Sequence, residues 1–196
     1  MRRLRALLAD NRGVAALEFA IILPIMLTLV FATYEISQFV RAQLKVDSAS
    51  QAIADMVAQQ AAGVTSGTSG SLGNFCTAGT LMMTPFAVGT NNSSFSMAVA
   101  SVTNYSLTGP TVDWESDKSC STTATALGSS AKSLATSPTN LIPTAGSPGD
   151  SVIVVTVNYV YNSPLHYIIP GLLTLTHTAF ARPRSNGLIL CTAPCT

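Results

Sequence analysis

At 196 residues the chain holds one domain of ordinary size plus an anchor or tail. Only 10% of its residues are charged and the net charge is +1, which excludes the basic footprint of a nucleic-acid-binding domain. Apolar residues make up 47% but are unevenly spread: 14–34 is almost wholly apolar, whereas 62–150 is dominated by Ser, Thr, Gly and Ala, so the two parts suit different solvents.

In chain order, residues 1–13 form a basic leader in which Arg2, Arg3, Arg5 and Arg12 face a lone Asp10. Val14–Tyr34 follows, 21 residues that at helical rise match the hydrocarbon core of a bilayer. Beyond it Arg41 and Lys45 are offset by Glu35, Asp47 and Asp55, so the positive-inside bias predicts a single-pass protein with a cytoplasmic N-terminus and everything after Tyr34 outside. A cleaved secretory signal would have a shorter apolar core and a small-x-small cleavage site. This run is too long, carries Glu18, and Ala32-Thr33-Tyr34-Glu35 offers no such site. Glu18 is the one charge inside the run, and a carboxylate there costs roughly 2.5–3.5 kcal/mol on insertion scales. Snorkelling to the headgroups is the plain explanation of it; a functional partner is the other.

Helical character continues outside the membrane. Residues 35–61 contain no Gly or Pro, and Ile36, Phe39, Val40, Leu44, Ile53, Met56 and Val57 recur at spacings of an amphipathic helix. Pro24 lacks an N–H and predicts a kink within the combined helix. Gly63 and the Thr65–Gly70 run predict its end and open a flexible loop region over 62–94. Period-two alternation then predicts half-buried antiparallel strands within a β-rich outer domain over 95–196. Phe95, Met97, Val99, Tyr105 and Leu107 share one face; Ile153, Val155, Val157, Tyr159 and Tyr161 share another; Leu173 and Leu175 alternate with threonines. The Ser/Thr-rich stretch 116–150 is predicted as surface loop. The expected fold is α+β, a long N-terminal transmembrane-plus-amphipathic helix followed by a small antiparallel sheet.

All four cysteines, Cys76, Cys120, Cys191 and Cys195, lie beyond the membrane run, and an even count there favours disulfides. Of three possible pairings the simplest joins Cys191 to Cys195 and leaves Cys76 for Cys120. No C-x-x-C or H-x-x-x-H spacing supports a metal site, and no cofactor motif is present. Ser129-Ser130-Ala131-Lys132 fits S-x-x-K without the accompanying elements of penicillin-recognising enzymes. His166 and His177 are expected at a strand hairpin in ordinary structural roles, and Asp113, Glu115 and Asp117 in a solvated loop rather than a calcium site.

The basic leader, Gly13, Glu18 at the fifth position after it, Phe19 and then the apolar run resemble the processing site of type IVb-like prepilins. The pattern R-G-x-A-A-x-E-F-A-x-x-L-P is similar to the TadE family of tight-adherence (Flp) pilus pseudopilins. Tyr34-Glu35-Ile36 with the following charged helix resembles that family's second half-helix, and V-x-V-x-Y-x-Y-x-S-P-L with the later A-x-A-R-P-R resembles its C-terminal region. The resemblance implies a non-enzymatic, minor pilin-like subunit in the bacterial inner membrane, with a periplasmic C-terminal domain. It implies cleavage between Gly13 and Val14 by a prepilin peptidase, and partners among other pilins, pseudopilins and the assembly platform. Val14 and Glu18 would then lie one turn apart on a helix face, so the new amine could meet this carboxylate or a neighbouring subunit's. Two alternatives stand beside it. A type II secretion-like pseudopilin usually carries an aromatic where Val14 stands. An uncleaved, membrane-tethered periplasmic binding domain needs no processing at all.

Overall fold

From Val14 to Ala58 the sequence holds no Gly and a single helix breaker, Pro24, and the chain forms one 45-residue α-helix, α1 (Val14–Ala58), with Pro24 inside it. In the computed structural model the described residues are 13–89, 93–106, 109–116, 120, 150–169, 171–185, 188–192 and 195. The leader before Gly13, the S-x-x-K sequence and most of the Ser/Thr-rich stretch lie outside them, as do Asp117 and Leu107. The described residues pack as two units: those of Met1–Val40 with Ser163–Gly171, and those of Arg41–Asn162 with Leu172–Thr196.

In the first unit the apolar part of α1 is open to its surroundings. It is long and apolar enough to cross a membrane, and none of its most apolar window is buried against protein. A soluble protein's core helix would be covered; this one is not.

The second unit is built on a four-stranded antiparallel sheet of β1 (Phe95–Ser106), β2 (Gly109–Ser116), β3 (Ser151–Asn162) and β4 (Leu172–Ala181), in the order β2-β1-β3-β4. On one face Phe95, Met97 and Val99 stand opposite Tyr159, Val157 and Val155, which in turn oppose Leu175, His177 and Ala179. The C-terminal turns of α1 and a second helix, α2 (Ser71–Met82), pack here: a Cβ on Gly79 would lie 2.9 Å from both Ile53 Cδ1 and Phe95 Cζ. Fully burying Ile53 and Phe95 contributes about 1.5–3 kcal/mol each. Ala98, Ala100, Val102, Val112, Val152 and Val154 form a cluster on the opposite face, with Phe180 against it.

The fold class is as expected, a long apolar helix and a small antiparallel sheet, and four details are corrected. The strands β1 and β3 are buried on both faces, not one: the second face carries an apolar cluster of its own, with Ala98, Ala100, Val102, Val152 and Val154 all buried. Even Thr156 is buried there, its hydroxyl 3.0 Å from that of Thr178. The 62–94 stretch is not simply a loop: α2 occupies Ser71–Met82. The buried stripe of α1 is Ala42, Val46, Ala49, Ile53 and Val57, whereas Ile36, Val40 and Leu44 are exposed. Finally, Asp113 and Glu115 belong to β2 rather than a solvated loop. Asp113 Oδ2 accepts hydrogen bonds from Ser101 Oγ (3.1 Å) and Thr103 Oγ1 (2.6 Å), and the buried Trp114 donates its indole N–H to Ile189 O at 2.8 Å.

Cys76 pairs with Cys120 and Cys191 with Cys195, 44 and 4 residues apart. Gly63 (φ +89°) turns the chain after α1, and the main chain then bridges Val64 to Cys191. Closing the longer loop removes about 3–4 kcal/mol of unfolded-state entropy and the shorter about 2. Denaturant unfolding of full-length protein in detergent should therefore show Cys76→Ser losing more stability than Cys191→Ser. Gly79→Ala should cost about 1–3 kcal/mol in the same assay, because its methyl must displace Ile53 or Phe95; an unchanged midpoint would contradict this packing.

Candidate functional site

Two carboxylates bracket the exposed apolar run of α1, and the structure treats them oppositely. At the start, Gly13 precedes the first helical residue, Val14. Val14, Leu17 and Phe19 are exposed, as is Glu18 one turn after Val14. Among the described residues Glu18 meets no hydrogen-bond or ion-pair partner. Among the described residues nothing asks for glycine at position 13: a Cβ there would meet no atom within 4 Å, and its φ lies outside the left-handed region.

At the far end, Glu35 directly follows Tyr34, and its side chain is 0% exposed. It lies on the helix face that continues through Ala42 and Ala49, one heptad apart. The β3–β4 connection closes over it. Ser163 Oγ donates to Oε1 at 2.7 Å, the Tyr167 N–H donates to Oε1 at 2.8 Å, and the Ile168 and Ile169 N–H groups donate to Oε2. A left-handed φ of 53° at His166 begins the turn that brings three successive N–H groups toward the carboxylate. Burial by itself would raise the Glu35 pKa. The Ser163 hydroxyl and the three amides outweigh it and bring the carboxyl from its ordinary 4.5 down to about 2. The group is a structural anion, satisfied by its own chain.

The sequence motifs named only one of these carboxylates as a site. Glu35 was legible as a flanking charge, and nothing local marked it as buried. No local signal pairs it with its partner, the S-P-L-H-Y-I-I segment, which contains no Lys, Arg, Asp or Glu. That segment includes the S-P-L of the C-terminal resemblance, so the two motifs meet in the Ser163–Glu35 hydrogen bond.

Elsewhere the other flagged residues serve the fold. His177 Nδ1 sits 3.1 Å from Asp47 Oδ1, joining β4 to α1. A cleft of about 550 Å³ beside Trp114 is lined by Thr111, Asp113, Leu188 and Leu190, and its carboxylate is already engaged by Ser101 and Thr103. Among the described residues no three His, Cys, Asp or Glu gather as a metal cluster.

Residues 13–55 match the family model of TadE-like proteins. The match starts at Gly13, spans Glu18 and Glu35, and ends within α1, leaving the sheet outside it. No curated protein and no solved structure matches the chain.

The depressed pKa of Glu35 fixes the sign of a pH effect. The carboxylate's contribution is present above about 4.5 and is lost as pH falls through about 2, because only the protonated form forfeits the four donors. A spin label at Leu165→Cys should be immobile near neutral pH and grow mobile across that window. With Glu35→Gln the label should already be mobile at neutral pH. An immobile label at the acid end would show that the loop is held by other contacts.

Proposed function

We propose that this chain is a minor pilin-like subunit of a Tad/Flp-type pilus system, structural rather than enzymatic. It is anchored in the bacterial inner membrane by the apolar half of α1 and trimmed after Gly13 by a prepilin peptidase. The observation that carries this reading is that the TadE-like match begins at Gly13, a glycine required by neither packing nor backbone conformation. A residue that the fold does not need is free to be chosen by a processing enzyme.

Chemistry gives the trimmed form its role. The amine created at Val14 lies one turn from Glu18, inside the apolar layer, where an unpaired charge is costly and a paired one much less so. Glu18 pairs with that amine or with the amine of a neighbouring pilin, and in the second case it sets the register between packed helices. Phe19 and the exposed Ile21, Ile22 and Leu29 supply the apolar surface for such packing. The outer domain, closed by the Cys76–Cys120 and Cys191–Cys195 disulfides, suits the oxidising side of the membrane and presents the surface toward other pilins or the assembly platform.

The test reads processing and assembly in one strain. N-terminal sequencing of the membrane-bound protein should begin at Val14, and bulky substitutions at Gly13 should leave the longer precursor. Glu18→Ala should be trimmed and inserted normally yet lower surface pilus yield, since losing one member of a buried pair costs on the order of 3–5 kcal/mol. An intact Met1 on the mature protein would favour an uncleaved tethered domain, and wild-type pilus yield with Glu18→Ala would reduce this carboxylate to a snorkelling side chain.

A further inference from the structure

We infer that the β3–β4 connection is a second membrane contact: Leu165, Tyr167 and Ile168 enter the outer interfacial layer of the bilayer beside the exit of α1. This rests on the membrane-spanning reading of α1 given above. Four observations within the first unit support it. These side chains are 44%, 58% and 45% exposed, a cluster of large apolar groups on a connection, where polar residues are the rule. The segment Ser163–Ile169 contains no Lys, Arg, Asp or Glu, so its entry into an apolar layer carries no fixed charge. The N–H groups of Tyr167, Ile168 and Ile169 are already taken by Glu35, which lowers the penalty for moving this stretch of irregular backbone out of water. Depth is set by the same bonds: Glu35 is the residue after Tyr34, so the loop backbone is held at the level where the apolar run ends.

The chemistry at that level suits the headgroup region rather than the acyl interior. Tyr34 and Tyr167 are both exposed, and tyrosine favours the interface, where its ring is apolar and its hydroxyl wet. Glu35, sealed beneath the loop, keeps its charge without facing lipid. Two contacts, helix and loop, would resist tilting of the chain about α1 in a way that one helix cannot.

The test is depth-resolved fluorescence quenching on the full chain in lipid nanodiscs of phosphatidylethanolamine and phosphatidylglycerol. The cysteines of the described residues are all in disulfides, so a single introduced cysteine carries an environment-sensitive dye. Dyes are placed at Tyr167→Cys and, independently, Ile168→Cys, with Leu27→Cys in the helix as the reference. Spin-labelled lipid carrying its label near the headgroup should quench the 167 and 168 dyes severalfold more than lipid labelled near the chain end. Leu27 should be quenched from within the acyl layer. Quenching at Leu27 without quenching at either loop position would overturn the loop contact while leaving the membrane helix standing, and would assign the patch to a protein partner. No quenching at Leu27 would overturn the membrane reading and the loop contact with it.

Discussion

The Glu35 carboxylate and the turn that wraps it need each other. A buried carboxylate without partners is driven to protonate, and a turn of successive N–H groups without an acceptor is driven to stay in water. Brought together, Ser163 Oγ and three backbone amides satisfy both oxygens, and the charge persists where burial alone would remove it. The bond set also closes a very long span of sequence, from residue 35 to residues 163–169, without a salt bridge. Because backbone amides rather than long cationic side chains do the pairing, little side-chain entropy is lost in holding the geometry. The exit of the apolar helix is thereby tied to the connection between two sheet strands.

Under the membrane-spanning reading, one helix serves two solvents. Its N-terminal half exposes large apolar side chains on every side, as a helix surrounded by lipid does. Further along, the protein-facing stripe changes to Ala42, Val46, Ala49, Ser50 and Ile53. The stripe carries small residues, and Gly79 on α2 extends the same economy, leaving room for Ile53 and Phe95 where a methyl group would not fit. Ile36, Val40 and Leu44, the larger apolar residues, are left on the outside. Their exposure fits a helix that goes on packing against other helices beyond the membrane surface.

Much of this was legible in the sequence, and the gaps have physical causes. The alternation in 153–161 and 173–175 marks β3 and β4 because large apolar and polar residues trade places at period two. The other strands are harder: on β1, Ala98 and Ala100 fill the second face and read as neutral, although they are fully buried. In β2 the acids Asp113 and Glu115 suggest solvent, and only the register with Ser101 and Thr103 reveals what Asp113 does. The helix α2 hides behind low-propensity residues, Gly73, Thr77 and Gly79, although Leu72, Cys76, Thr80 and Met83 recur at helical spacing and are buried. Glu35 escaped because its partners are backbone amides more than a hundred residues away. No local pattern records a backbone donor waiting for an acceptor.

The contrast between Glu18 and Glu35 carries the functional argument furthest. Both are lone carboxylates near the ends of one apolar run, with the same intrinsic chemistry. Glu35 is answered inside the chain, four donors for two oxygens, and has nothing left to offer a second molecule. Glu18 is exposed on α1, with no partner among the described residues. An apolar layer makes that state expensive and so favours any cation that can reach it. Under the proposed processing at Gly13, the nearest cation is the amine at Val14, and in an assembly the same group is repeated on every trimmed neighbour. The carboxylate that the fold satisfies stabilises the chain; under the proposed assembly, the one it leaves open is the one through which trimmed subunits would recognise each other.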